Sequence, residues 1–324
     1  MWTELICGLF IYKLVRRFFD DDGQDLFEVE TTDSNAIFSV ADRLEKIYGG
    51  KAYVGLRIPD ADTSSRQNID VVLLSKEEAV IISVKNFSGF WSIDTDGSWV
   101  CSGGTKHKNE RHPDPVAEAK RQVTVLESYL EQRGVALPEG YFSCRVVCPN
   151  PKFRSIPSTS FPHEVITYEQ WVQLTPVPKS MFSGWIKGAF RGGKKDLQES
   201  IHEKLTFTLS TAPTWDRLEL KSNKCILGEF LEFKGKQDDT LALRNIRRSK
   251  VNSLIIQKTS MFGLAPSKVQ VLYSTRVYRT EGASTSDWKE VTVRASTEVL
   301  FQPQNTTQVR KFKLSSIVSM SLSA

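Results

Sequence analysis

Residues 68–89 read NIDVVLLSKEEAVIISVKNFSG, two short apolar runs separated by a charged break. Residues 71–74 and 79–84 are rich in β-branched side chains, and residues 75–78 are polar. This pattern predicts a β-hairpin whose strands lie in the middle of a sheet. Asp70 begins the first strand and Lys85 follows the second, so we expect them to meet at one end of the sheet. Ser83 shares a strand face with Lys85, because strand side chains alternate.

The hairpin resembles that of NERD, the nuclease-related domain, a relative of the restriction-endonuclease-like PD-(D/E)XK enzymes. The resemblance covers roughly the first half of the chain. It includes a recurrent tryptophan and a proline that opens a helix. The matching residues are Ile69, Asp70, Lys85, Asn86, Gly89, Trp99, Asp114, Pro115 and Gln122.

The resemblance implies a site in which a carboxylate holds Mg²⁺ and a lysine lies near the scissile phosphate. Asp70 is the expected metal ligand, and no organic cofactor is expected. The residues expected at the site are Asp70, Ser83, Lys85, Glu118 and Gln122.

Three positions depart from the family pattern. Ser83 stands where the family has a glutamate, and Ile37 stands where a glutamate of the first helix would fall. Glu118 replaces a family glutamine, with Gln122 one helical turn further on. A site with a single carboxylate would bind Mg²⁺ weakly unless Glu118 or Glu45 compensates, so loss of hydrolysis is the simpler inference. A purely structural ion pair between Asp70 and Lys85 is an equal alternative to any catalytic role.

The composition is that of an ordinary globular protein. The chain has 324 residues, of which 40% are hydrophobic and 25% charged, with a net charge of +5. This charge permits contact with phosphates but is not diagnostic of it. The five cysteines contain no C-x-x-C pair, which argues against a disulfide framework and for a reducing, intracellular compartment. Cys101, His107 and His112 lack such an anchor, so we expect no zinc site.

Residues 1–22 combine an apolar run with basic residues. The apolar run 5–12 is too short for a transmembrane helix, which needs about 20 apolar residues. Two interpretations stay open. The segment is either a helix docked on the protein's own surface or a contact with a membrane surface, with its basic side chains on lipid phosphates.

The remaining pattern predicts two domains. In residues 30–175, Asp33 or Ser34 caps a first helix, and the predicted elements follow the α-β-β-β-α-β order of a restriction-endonuclease-like α/β core. Residues 176–213 read as a linker with some helix. Residues 214–324 predict a mostly antiparallel β domain, a small barrel or sandwich, with residues 241–246 as one of its strands.

Two basic clusters are candidate nucleic-acid contacts. For each cluster a solvated surface is the alternative, and it is the favoured one. Their residues are Lys106, Lys108 and Arg111 in one loop, and Arg244, Arg247 and Arg248 in one turn.

Three functional classes follow. The first is a catalytically degenerate nuclease-related protein that acts as a nucleic-acid-binding or scaffold module. The second is an active magnesium-dependent DNA nuclease with a rebuilt site. The third is a membrane-associated interaction protein. The sequence does not specify a protein partner.

Overall fold

The computed structural model describes residues 21–75, 79–102, 110–138, 140–156, 161–175, 195–258, 268–276 and 288–323. The apolar segment 1–20, with Lys106 and Lys108, lies outside them. None of the helices in these ranges is long and apolar enough to cross a membrane.

The N-terminal half alternates helices and strands. Its elements are α1 (Asp21–Tyr48), β1 (Lys51–Pro59), β2 (Arg66–Leu74), β3 (Ala79–Val84), β4 (Gly89–Ile93), β5 (Trp99–Ser102), β6 (Glu110–His112), α2 (Pro115–Glu131), β7 (Phe142–Val147), β8 (Phe153–Ser155), β9 (Val165–Ile166), α3 (Tyr168–Gln173) and α4 (Lys195–Ser210).

A five-stranded sheet in the order β1-β2-β3-β7-β9 forms the centre of this half. Strands β1, β2 and β3 are antiparallel, and β7 and β9 run parallel to β3. Helix α1 covers one face, where Ile37 joins a core with Ile82. Helix α2 covers the other face, where Leu126 joins a core with Ile81. All six residues of β3 are buried, which explains its continuous apolar run and confirms the predicted hairpin.

A second, four-stranded sheet has the order β6-β5-β4-β8. Strands β4 to β6 are inserted between β3 and α2, and the β4–β5 turn contains Gly97 at φ +83°. Trp91 and Trp99 are buried on one face of this sheet and join the core beneath α2. The small sheet therefore directly adjoins the end of the central hairpin.

One expectation for the helices is corrected, and the helix expected within residues 176–213 is located. Helix α1 already begins at Asp21, so Asp33 and Ser34 lie within it and neither caps its start. In the segment expected to be a linker, α4 buries Leu205 and Leu209 in the core of the N-terminal half. Residues of α4 therefore pack with the first domain.

The C-terminal half is built almost entirely of strands. Its elements are β10 (Asp216–Leu220), β11 (Cys225–Lys234), α5 (Gln237–Leu243), β12 (Val251–Lys258), β13 (Lys268–Thr275), β14 (Trp288–Arg294), β15 (Glu298–Pro303), β16 (Arg310–Lys313) and β17 (Ile317–Ser321).

These eight strands form one antiparallel sheet in the order β14-β13-β12-β17-β10-β11-β15-β16. The predicted antiparallel domain is therefore present. Within the described ranges it is a single sheet, whereas a sandwich would need two. The strand predicted over 241–246 is wrong, because α5 occupies residues 241–243 and a turn follows. Asp238 and Asp239 in the first turn of α5 favour a helix there, since acidic side chains stabilise helix N-termini.

Helix α1 connects the two halves. Ser34 Oγ accepts a hydrogen bond from the backbone N–H of Leu227 at 3.2 Å, and Asn35 Oδ1 accepts one from Cys225 N–H at 2.9 Å. Both donors lie on β11. The helix that covers the central sheet is thus fixed to the C-terminal sheet by its own side chains.

Candidate nuclease-related site

The predicted site residues of the hairpin lie together at one end of the central sheet. The register that pairs Val71 with Ile82 places Asp70 opposite Ser83. The backbone N–H of Val84 donates to Asp70 Oδ2 at 2.8 Å. One carboxylate oxygen of Asp70 is therefore engaged by the neighbouring strand.

Lys85 forms its ion pair with Glu118, where the sequence suggested Asp70. Lys85 Nζ lies 2.9 Å from Glu118 Oε2, and the two side chains are 21% and 38% exposed. Asp114 caps α2 by accepting a hydrogen bond from Val116 N–H, which places Glu118 in the first helical turn. The first turn of α2 therefore places the Glu118 carboxylate beside Lys85.

Asp33 is a further acidic residue at this end of the sheet, and the sequence argument missed it. Asp33 Oδ1 accepts a hydrogen bond from Asn86 Nδ2 at 3.0 Å. Partial desolvation by the surrounding atoms raises the pKa of Asp33, and the positive charge of Lys85 opposes the rise. The Asp33 side chain nevertheless stays in contact with solvent. Asp33 precedes Ile37 by one helical turn, so the i, i+4 spacing of α1 was the available signal.

The charges around Asp70 influence one another. Burial raises the pKa of Asp70 above its usual 3.8, whereas Lys85 and the Val84 N–H lower it. The negative charges of Glu118 and Asp33 add to the rise. Three carboxylates therefore surround one lysine, and the local charge is negative when all of them are ionised.

Two polar side chains are buried between the sheet and α2. Ser83 is fully buried, and its Oγ has no hydrogen-bond partner among the residues that the structure describes. Gln122 is 2% exposed; its Nε2 donates to the Asn68 carbonyl at 2.9 Å, while its Oε1 has no partner. Gln122 therefore holds β2 against α2, and neither side chain reaches the surface beside Lys85.

The other residues considered for a missing carboxylate lie away from the site. Ile37 is buried in the core between α1 and the sheet. Glu45 Oε1 accepts a hydrogen bond from Ala52 N–H at 2.6 Å, which fixes the turn between α1 and β1. Glu45 is therefore a structural residue and does not supply a substitute ligand.

The residues present do not fit a preformed magnesium site. Mg²⁺ requires oxygen ligands in near-octahedral geometry, usually with one or two carboxylates. Ser83 offers a buried neutral oxygen, and one oxygen of Asp70 is occupied by Val84 N–H. In the described part of the chain, no three His, Cys, Asp or Glu side chains are grouped closely enough to hold a metal ion.

The basic residues considered as nucleic-acid contacts take part in other interactions. Arg111 pairs with Asp94 at 3.2 Å and also with Asp96, at the β4–β5 turn. Arg248 pairs with Asp216 and Glu229 in the C-terminal half. Arg247 Nε donates to the Arg244 carbonyl. The turn of Arg244, Arg247 and Arg248 belongs to the C-terminal domain and is not part of this site.

Comparison with known families supports the resemblance in part of the chain. The family model of the nuclease-related domain, NERD, matches residues 33–149. No curated protein and no solved structure matches the chain. The matched range begins at Asp33, spans the central hairpin and α2, and ends just after β7.

Proposed function

We propose that residues 33–149 form a nuclease-related domain that binds nucleic acid without hydrolysing it. The observation that carries the proposal is Ser83, a buried and unpartnered hydroxyl at the position where the family resemblance expects the second carboxylate. Hydrolysis of a phosphodiester by this class of site depends on carboxylates that hold a hard cation. Lys85 is paired with Glu118, so the lysine is engaged and Glu118 is not free to act as a metal ligand.

The order of the helices and strands also supports the proposal of a nuclease-related domain. Helix α1, strands β1 to β3, helix α2 and strand β7 follow the order of a restriction-endonuclease-like core, with β4 to β6 inserted. In this proposal, the core without a competent metal site serves as a binding module. Fold alone does not fix function, so the proposal rests on the site residues.

A second candidate, a metal-dependent DNA nuclease with a rebuilt site, is favoured by one observation. Asp33 and Glu118 are close enough to Asp70 to influence its pKa. Rearrangement of these carboxylates around a cation would restore the missing negative charge. Cleavage in the presence of metal separates this candidate from the first.

The experiment combines binding and cleavage on the full chain. Fluorescence anisotropy with labelled single-stranded and duplex DNA measures binding, and gel analysis after incubation with Mg²⁺ or Mn²⁺ measures cleavage. We expect binding with no more than trace cleavage. Robust metal-stimulated cleavage that is lost in Lys85→Ala and Asp70→Asn would support the rebuilt nuclease instead, and absence of both binding and cleavage would leave a scaffold role.

The membrane-associated alternative depends on residues 1–22. It is tested by liposome co-sedimentation of the full chain beside a chain that begins at residue 23. Equal sedimentation of the two would remove it.

A further inference from the structure

The four-stranded sheet presents an exposed aromatic side chain on its outer face. Phe90 on β4 is 54% exposed, whereas the adjacent Trp91 faces the core and is 1% exposed. Phe90 is in register with Arg154 on β8 and with Ser102 on β5. Residues in register on neighbouring strands share a face and lie about 5 Å apart, so Phe90 has an arginine directly beside it.

The charged side chains beside Phe90 on the β8 side of the sheet are basic. Arg154 is exposed, and its Nη1 donates to the carbonyls of Pro151 and Phe153, contacts that leave its positive charge in place. Lys152 is also exposed and lies two residues before Arg154. The site end of the central sheet, in contrast, concentrates carboxylates. A polyanion is therefore attracted to the outer face of the small sheet more than to the site itself.

We propose that this face binds single-stranded nucleic acid, with a base stacked on Phe90 and the backbone phosphates contacting Arg154 and Lys152. The inference rests on the proposed nucleic-acid function and identifies the form of nucleic acid that it requires. Unpaired bases offer their ring faces to an aromatic side chain, whereas the bases of a duplex are stacked on one another. Stacking tolerates any base, so binding has little sequence preference.

The same surface is poorly suited to a protein partner. A stable protein interface buries about 800 Å² on each side around an apolar centre. Here one aromatic ring is flanked by Arg154 and the polar Ser102. An isolated aromatic side chain beside basic residues instead matches the alternation of bases and phosphates along a single strand.

The test measures fluorescence anisotropy of a labelled single-stranded oligonucleotide against the full chain and five variants. Phe90→Ala should weaken binding by about 5- to 150-fold, the range for loss of one stacked base. Its matched control is Phe207→Ala, because Phe207 is 69% exposed on α4. Phe90→Trp should retain binding, since indole also stacks.

Arg154→Ala should reduce the slope of log K against log salt concentration by the amount that corresponds to about one phosphate contact. Its control is Arg133→Ala, a change at an exposed arginine that stacks on Tyr129. Thermal melting of every variant verifies that the fold is retained.

The outcomes separate this inference from the function on which it rests. If the wild-type chain binds neither single-stranded nor duplex nucleic acid, both are overturned. If it binds a single strand and the Phe90 and Arg154 variants behave like their controls, only the inference about this face fails. Tighter binding of a duplex of the same sequence would also overturn it.

Discussion

Lys85 Nζ contacts Glu118 Oε2 at 2.9 Å, while Asp70 on the adjacent strand accepts its hydrogen bond from Val84 N–H. The lysine that resembles a nuclease lysine is thus held by the first turn of α2. It still lowers the pKa of Asp70 through its charge. Lys85 therefore serves as the common cation of several carboxylates.

Lys85→Met should lower the free energy of unfolding at neutral pH by about 1 kcal/mol, between the values for exposed and buried ion pairs. The folded-state pKa of Asp70 is raised, so ionised Asp70 costs stability above that pKa, and the cost disappears as the pH falls through it. Loss of Lys85 increases this cost. Urea denaturation at decreasing pH should therefore show the deficit shrinking as the pH approaches the raised pKa of Asp70.

The control for Lys85→Met is Lys204→Met, at an exposed position on α4. It should have little effect at any pH. A deficit in Lys85→Met that grows on acidification would contradict the shared-cation account.

Ser83→Ala should leave the free energy of unfolding unchanged or raise it by up to ~1 kcal/mol, because the buried hydroxyl makes no hydrogen bond. Ser34→Ala is the matched change at another buried serine. It removes the acceptor of Leu227 N–H and should cost ~1 kcal/mol. Chemical denaturation of both variants measures the difference. A larger loss in Ser83→Ala than in Ser34→Ala would mean that Ser83 has a polar partner.

Ser83→Glu should lower the melting temperature without metal and recover it when Mn²⁺ is added. The new carboxylate would lie opposite Asp70, so the two repel each other until a cation binds. Ile37, the other position where the family pattern has a glutamate, is left unchanged because it is buried between α1 and the sheet, whereas Asp33 already contacts Asn86. Calorimetry with and without Mn²⁺ measures the effect.

The matched control is the double variant with Ser83→Glu and Asp33→Asn. It should lose most of the metal-dependent rise in melting temperature. The absence of any rise in the single variant would show that the position opposite Asp70 cannot be converted into a metal ligand.

Asp216→Ala should lower the free energy of unfolding by about 3–5 kcal/mol, the range for breaking a buried ion pair. Asp216 is fully buried, accepts hydrogen bonds from Phe230 N–H and Ser323 N–H, and pairs with Arg248 at 3.1 Å. Glu219→Ala, at a side chain 35% exposed, is the control and should cost less than ~1 kcal/mol. Equal losses in the two variants, measured by chemical denaturation, would contradict the role of Asp216.

The strands of the central hairpin could be predicted because their apolar runs are continuous and their break is charged. The β4–β5 hairpin was equally predictable from Asp96 and Gly97, and Gly97 adopts the positive φ that favours glycine. In contrast, β9 has only two residues, too few for any periodicity. Helix α5 was missed because its apolar residues outweighed the acidic start at Asp238.

The site was predicted where it follows from strand alternation and missed where it depends on packing. Alternation placed Ser83 and Lys85 on one face, and the turn fixed Asp70 opposite them. The choice of Glu118 as the partner of Lys85 depends on where α2 crosses the sheet. Asp33 was missed for the same reason, because only the packing of α1 on the sheet brings Asp33 into contact with Asn86.

Three consecutive residues of α1 have different partners. Asp33 contacts Asn86 at the candidate site, while Ser34 and Asn35 hold β11 of the C-terminal sheet. A lineage that exchanged the C-terminal sheet for an unrelated domain would remove the two N–H donors, of Leu227 and Cys225, that bind the helix turn carrying Asp33. The two halves are therefore expected to be inherited and recombined together, as a single genetic module whose boundary does not fall between them.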